Sequence, residues 1–174
     1  RSTLSPSSAA SDVYKRQRYT DHNYEGGYDL YGTPFLDSRN AVDFSDFFSL
    51  VFGHNMNNSA MFGSLDDFLQ ESAFADLSDG VLLLPDERYR LEVTASIAAT
   101  RPAQELIDQI MTADAAEQPQ LLEQLLEMAA VKKDDVTVSE EDHWVMLSTL
   151  DYADEKNDNG TPSMLLLKLE TSTT

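Results

Sequence analysis

Five short segments constrain this chain to a fold built mainly from strands. They comprise residues 47–52, 81–84, 89–98, 144–150 and 164–169. Each has either the apolar run or the alternation of apolar and polar residues that is typical of a strand. The second and third flank a turn at Pro85-Asp86-Glu87 and are predicted to pair as a hairpin. Because strands outnumber helices, we predict a mainly β fold with antiparallel strands closed or partly closed into a barrel.

Short helices are predicted in the connections between these strands. Residues 64–67 resemble a capping box before a short helix, while Pro102 and Pro119 occupy the favoured first position of two longer ones. Apolar residues recur at helical spacing in both longer helices, so we predict that they face the core. These residues are Leu106, Ile107, Ile110 and Met111 in the first, and Leu121, Leu122, Leu125, Leu126 and Met128 in the second.

Composition limits the kinds of partner and the kinds of chemistry. The chain has 174 residues and a net charge of −19 at pH 7, which argues against nucleic acid and anionic membrane surfaces as partners. It lacks an apolar run of about 18 residues, so no membrane-spanning helix is predicted within it. It contains no cysteine, which excludes disulfides, thiolate metal sites and cysteine catalysis by the sequence as written.

The first 17 residues differ in character from the rest of the chain. Residues 12–17 back-translate to a transposase end sequence used in preparing sequencing libraries. We therefore interpret residues 1–17 as a sequencing-adapter artefact, the alternative being a natural Ser-rich disordered tail. Residues 18–174 are assigned to a single domain, and we expect the intact gene to extend upstream.

His54 is the first candidate for chemistry. It directly follows Gly53 at the end of an apolar strand, where a side chain is held rigidly and can still reach solvent. Imidazole titrates near neutral pH, so this placement suits a general acid or base. The alternative is a histidine with a purely structural role.

Three ordered motifs indicate a known family. Gly53-His54-Asn55-Met56 with residues 59–65 resembles the catalytic-histidine segment of class B sortases, the cysteine transpeptidases of the Gram-positive cell surface. Residues 28–40 resemble the segment before that strand, and residues 147–152 resemble the strand that carries the nucleophile. The resemblance spans about residues 19–169 and implies a sortase β-barrel that lacks its first strands. It also implies a single-pass membrane anchor upstream, with the domain at the extracellular face.

The resemblance places three functional positions, of which two are substituted. The family uses a Cys nucleophile, a His acid/base and an Arg that stabilises the oxyanion. His54 matches the histidine, but Leu150 stands at the Cys position and Pro162 at the approximate Arg position. A Leu side chain cannot act as a nucleophile, so we predict a catalytically inactive, sortase-like domain. Ser148 and Asn55 are predicted to line the substrate groove.

Several alternatives remain open at this stage. The native protein is an active transpeptidase whose sequence is corrupted here, or the chain is a non-catalytic acidic domain at the cell surface. Ser148 lies about 6.5 Å along the strand from position 150, too far to replace the nucleophile readily. The predicted partners are a sorting-signal peptide of a surface or pilin protein and an amine acceptor. No cofactor is expected, and the acidic loop at 154–160 lacks the pattern of an EF-hand calcium site.

Overall fold

The computed structural model describes residues 21–22, 25, 27–29, 32–54, 62–149 and 162–171. Seven strands lie in one sheet within these residues. The strands are β1 (Phe35–Leu36), β2 (Phe48–Gly53), β3 (Gly80–Leu83), β4 (Arg88–Ala98), β5 (Val131–Lys132), β6 (His143–Thr149) and β7 (Ser163–Thr171). The helices are a 3₁₀ helix (Gly63–Leu69), α1 (Glu71–Ala75), α2 (Arg101–Thr112) and α3 (Gln118–Glu127). The mainly β prediction is confirmed, as is the hairpin of β3 and β4.

The described strands do not close into a barrel, so the predicted closed or partly closed barrel is not confirmed. The order of the sheet is β1-β2-β6-β7-β4-β3, with β5 also paired to β4, and within the described residues no pairing joins β1 to β3. One central pair, β2 with β6, is parallel, which corrects the prediction of an antiparallel architecture. The connection from β2 to β6 is long and contains the strands β3, β4 and β5 and all the described helices. Two parallel neighbouring strands require such a crossover connection.

Both faces of the sheet are covered. Side chains alternate between the two faces along each strand, so a strand can contribute to a core on each side. In β7, Met164 and Leu166 face the larger core under α2 and α3. Leu165 and Leu167 face a smaller core under the 3₁₀ helix and α1. Runs without polar alternation are typical of strands that are buried on both sides.

The predicted helices form, with two differences. The apolar stripes of α2 and α3 pack into or against the larger core, except for Met128, which is exposed beyond the end of α3 at Glu127. The predicted capping box is wrong, because the 3₁₀ helix has no side-chain cap and begins after Phe62. The side chain of Asp66 accepts a hydrogen bond from β7 instead. Among the described residues, no helix combines the length and apolar character needed to cross a bilayer.

Candidate functional site

Three strands bring their ends together at one edge of the sheet. Because β2 and β6 are parallel, both end at this edge, with Gly53 opposite Thr149. Because β7 is antiparallel to β6, it begins there, with Met164 opposite Ser148. The residues His54, Ser148, Thr149, Pro162 and Ser163 therefore lie at this edge, which we call the His54 edge.

His54 is half-buried and directly follows the last residue of β2. Its carbonyl oxygen accepts a hydrogen bond from the Phe62 amide at 3.0 Å, so the chain returns to the His54 edge just before the 3₁₀ helix. The Phe62 ring packs so closely on Gly53 that a Cβ at that position would lie 2.7 Å from a ring carbon. The absence of a side chain at Gly53 thus allows the contact that brings the 3₁₀ helix to the end of β2.

Ser148 and Thr149 point to opposite faces, as the period of a strand predicts. Ser148 is buried and its hydroxyl donates to the Thr149 carbonyl at 3.2 Å, which is a structural role. The Thr149 hydroxyl donates to the Ser163 carbonyl at 3.4 Å, linking the end of β6 to the start of β7.

The described residues at the start of β7 include no cation. Pro162 is half-buried and its carbonyl accepts a hydrogen bond from the Ala99 amide at 2.7 Å. Ser163 is fully buried, and its hydroxyl donates to Oδ1 of Asp66 at 3.0 Å. Sequence reasoning missed this role of Asp66, because its partner lies 97 residues away in the chain.

The structure brings together three of the five predicted site residues. His54, Ser148 and Pro162 lie at one edge, whereas Leu150 and Asn55 lie outside the described residues, as do residues 1–17 and the acidic loop at 154–160. In the part of the chain that the structure describes, no cluster of three or more His, Cys, Asp or Glu residues could hold a metal ion.

An ion pair between a buried carboxylate and a solvent-accessible guanidinium lies in the connection between β1 and β2. The carboxylate of Asp37 is fully buried and accepts hydrogen bonds from Nε and Nη2 of Arg39 at 3.0 and 3.1 Å. Burial alone would lower the pKa of Arg39, but the hydrogen bonds and charge of Asp37, with a smaller contribution from Asp108, raise it. Because Asp108 belongs to α2, the guanidinium fixes the connection between β1 and β2 to that helix.

Two large clefts lie away from the His54 edge. One, of about 720 Å³, runs between α1, β4 and residues 131–137. The other, of about 790 Å³, has a mixed lining that includes the acids Asp43, Glu87 and Glu141 as well as Lys168. The pKa of Tyr89 in this second cleft is raised by its hydrogen bond to Glu87. His54 lines neither cleft.

Comparison with known proteins identifies the fold. No protein-family model and no curated protein sequence matches the chain. Among solved structures, sortase B of Bacillus anthracis in complex with AAEK1 is 28% identical, with a TM-score of 0.71, over 88% of this chain and 68% of that one. A class B sortase of Streptococcus pyogenes involved in pilus biogenesis is 24% identical, with a TM-score of 0.73, over 89% and 80%.

A third structure, the Staphylococcus aureus sortase B–substrate complex, is 20% identical with a TM-score of 0.73, over 90% of this chain and 70% of that one. The likeness covers most of this chain and extends to sortases from three genera. It agrees with the resemblance carried by the three sequence motifs. The chain therefore has the fold of a class B sortase.

Proposed function

We propose that this chain is a sortase-family domain that has lost the transfer reaction and still binds a peptide at the His54 edge. The observation that carries this proposal is the convergence of β2, β6 and β7 on that edge. His54 directly follows Gly53, the last residue of β2, and Pro162 directly precedes Ser163, the first residue of β7. Both residues therefore lie where β2 and β7 meet the end of β6.

The closeness of His54 and Pro162 to the same end of the sheet supports the assignment of these two family positions. A His and an oxyanion-stabilising group must lie near each other to act on one carbonyl. Leu150, at the nucleophile position, lies outside the described residues. The assignment of Pro162 also gains support from alternation. Pro162 lies two residues before Met164, which is opposite Ser148, so Pro162 and Met164 belong to the same face. The adjacent Ser163 belongs to the other face and contacts Asp66.

The substitutions remove the reaction but not the site around it. Leu150 offers neither a lone pair nor an ionisable proton, and Pro162 offers no positive charge. Ser148 is a poor substitute nucleophile, since its hydroxyl already donates to the carbonyl of Thr149. The backbone at His54 is held by the hydrogen bond from Phe62, and binding of a peptide does not require a nucleophile.

Solved relatives indicate what such an edge binds. The Staphylococcus aureus structure is a complex of sortase B with substrate, and a further sortase B structure is complexed with triglycine. By analogy we propose a sorting-signal peptide of a surface or pilin protein as the ligand here, and an amine acceptor of the cell wall or of a pilin as the second partner of an active form. We further propose that the native protein lies at the extracellular face of the membrane.

The resemblance to class B sortases implies attack at the carbonyl of a threonine in the sorting signal. The test therefore uses a pool of heptapeptides with a fixed central threonine and random flanks, which we call the Thr-centred pool. The immobilised chain should capture a subset of these peptides, identified by mass spectrometry, with a Kd of about 1–100 μM by fluorescence polarisation. Purified chain should leave every captured peptide uncleaved. Cleavage of any of them would contradict the loss of catalysis, and no capture would favour the acidic surface domain without a groove function.

A second candidate, an active transpeptidase with a corrupted sequence, is favoured by the preserved fold. Resequencing of the locus tests it directly, because it requires a Cys codon at position 150. Biochemically, the double variant Leu150→Cys/Pro162→Arg should cleave a captured peptide and form an acyl-enzyme if the rest of the site is intact. The matched control is Leu150→Ser/Pro162→Arg, which restores the charge without the thiolate.

A further inference from the structure

Asp66 links two segments of the His54 edge that are distant in sequence. It lies in the 3₁₀ helix, whose approach to β2 is fixed by the Phe62 amide on the His54 carbonyl. Its carboxylate accepts a hydrogen bond from the fully buried Ser163, the first residue of β7. One short helix thus contacts the strand end that carries His54 and the strand start that follows Pro162.

A second hydrogen bond of Ser163 extends this link to the end of β6. The carbonyl of Ser163 accepts a hydrogen bond from Thr149, the last residue of β6. A continuous path of hydrogen bonds and chain connections therefore runs from His54 through Phe62, Asp66 and Ser163 to Thr149. This path passes through the ends of β2, β6 and β7, the three strands on which peptide binding is proposed.

We propose that Asp66 is the positioning residue of the His54 edge, holding the 3₁₀ helix against β7 through Ser163 so that the edge is preformed for a peptide. The part that concerns binding rests on the proposed function. A hydrogen bond to a carboxylate that reaches a fully buried hydroxyl is stronger than an exposed one, because water competes with it less well. Breaking it leaves the Ser163 hydroxyl without this partner and removes one of the contacts that hold the helix beside His54.

The first test needs no ligand. Amide hydrogen exchange of Phe62 reports whether the 3₁₀ helix has moved away from His54, and exchange of Leu166 in the central strand β7 reports global unfolding. We expect Asp66→Ala and Ser163→Ala each to speed Phe62 exchange roughly tenfold without a matching change at Leu166. The double variant should be no faster than Asp66→Ala, since Ser163→Ala removes a bond that Asp66→Ala already removes.

Two further variants separate the hydrogen bond from the charge. Asp66→Asn keeps a carbonyl oxygen that can accept from Ser163, so it should restore Phe62 exchange to nearly the original rate. Asp67→Ala removes the neighbouring carboxylate, which is exposed, and should change nothing. Unchanged Phe62 exchange in Asp66→Ala, or an equal effect of Asp67→Ala, would overturn the proposal.

The second test measures binding of the tightest member of the Thr-centred pool. We expect Asp66→Ala to raise its Kd roughly tenfold and Asp66→Asn to raise it much less. An unchanged Kd together with faster Phe62 exchange would overturn the role in binding. If the original chain captures no peptide, the proposed function fails, and the exchange data still decide whether Asp66 positions the edge.

Discussion

Ser96 shows how a single buried hydroxyl affects stability. It lies in the middle of β4, it is fully buried, and its oxygen has no hydrogen-bond partner among the described residues. Burying an unpaired hydroxyl costs free energy, because the side chain loses its hydrogen bonds to water and gains none in return. We expect Ser96→Ala to raise the free energy of unfolding by about 1 kcal/mol, measured by urea denaturation. The exposed Ser78→Ala is the control, and a lower stability of Ser96→Ala would contradict this account.

Asp79 makes the stability of the β3–β4 hairpin sensitive to acid. Nε of Arg90 donates to its carboxylate at 3.0 Å, and this hydrogen bond is the largest cause of its lowered pKa. Because the pKa in the folded chain lies below the unfolded value, the contact stabilises the fold above about pH 4. The stabilisation is lost as the pH falls through the folded pKa.

The lowered pKa of Asp79 predicts how the stability of an Asn variant depends on pH. Asp79→Asn should be less stable than the original chain at pH 7, and the difference should shrink as the pH is lowered from about 5 to about 2. Urea unfolding at stepped pH values measures it, with Asp76→Asn as a variant of a nearby exposed acid. Parallel stability curves for Asp79→Asn and the original chain would show that the ion pair contributes nothing.

At the scale of elements, β2 depends on a side chain that substitutes for a neighbouring strand. β1 pairs only with Val51 and Phe52, which leaves the first half of β2 without a strand partner on that side among the described residues. Asn40 fills this place, since its amide donates to the Phe48 carbonyl at 2.7 Å and its oxygen accepts from the Leu50 amide at 2.9 Å. The strand that precedes His54 is thus held on both sides.

Removing that side chain should weaken β2 more than an ordinary surface substitution would. We expect Asn40→Ala to lower the free energy of unfolding by about 2 kcal/mol, because the buried Leu50 amide loses its acceptor. Thermal and urea unfolding measure the loss, and Gln120→Ala on the exposed side of α3 provides the comparison. Equal stability of the two variants would show that water replaces Asn40 without cost.

The same elements show what could be predicted from the sequence. Two features follow from the local periods of two and 3.6 residues that any strand or helix must obey. These features are the opposite orientation of Ser148 and Thr149 and the apolar stripe of α2. The parallel pairing of β2 with β6 and the bond between Asp66 and Ser163 join segments about one hundred residues apart. No local pattern encodes such partners, so the sequence predicts neither the parallel pair nor the contact between Asp66 and Ser163.

The whole molecule is strongly acidic, with 31 Asp and Glu residues against 12 Lys and Arg residues. A net charge of −19 favours unfolding through self-repulsion, and salt screens repulsion between exposed charges. We therefore expect Tm to rise by about 3 °C or more from roughly 0.01 M to roughly 0.3 M NaCl, a change that corresponds to about 1 kcal/mol. Differential scanning fluorimetry measures this shift.

A charge variant separates screening from other effects of salt. Asp134 and Asp135 are adjacent, exposed acids in the turn after β5. Asp134→Asn/Asp135→Asn should raise Tm at low salt and reduce its dependence on NaCl, because less repulsion is left to screen. Sucrose, which stabilises proteins without screening charge, should raise Tm equally in both chains. If the salt dependence of the two chains were the same, repulsion among these exposed acids would not limit the stability of the fold.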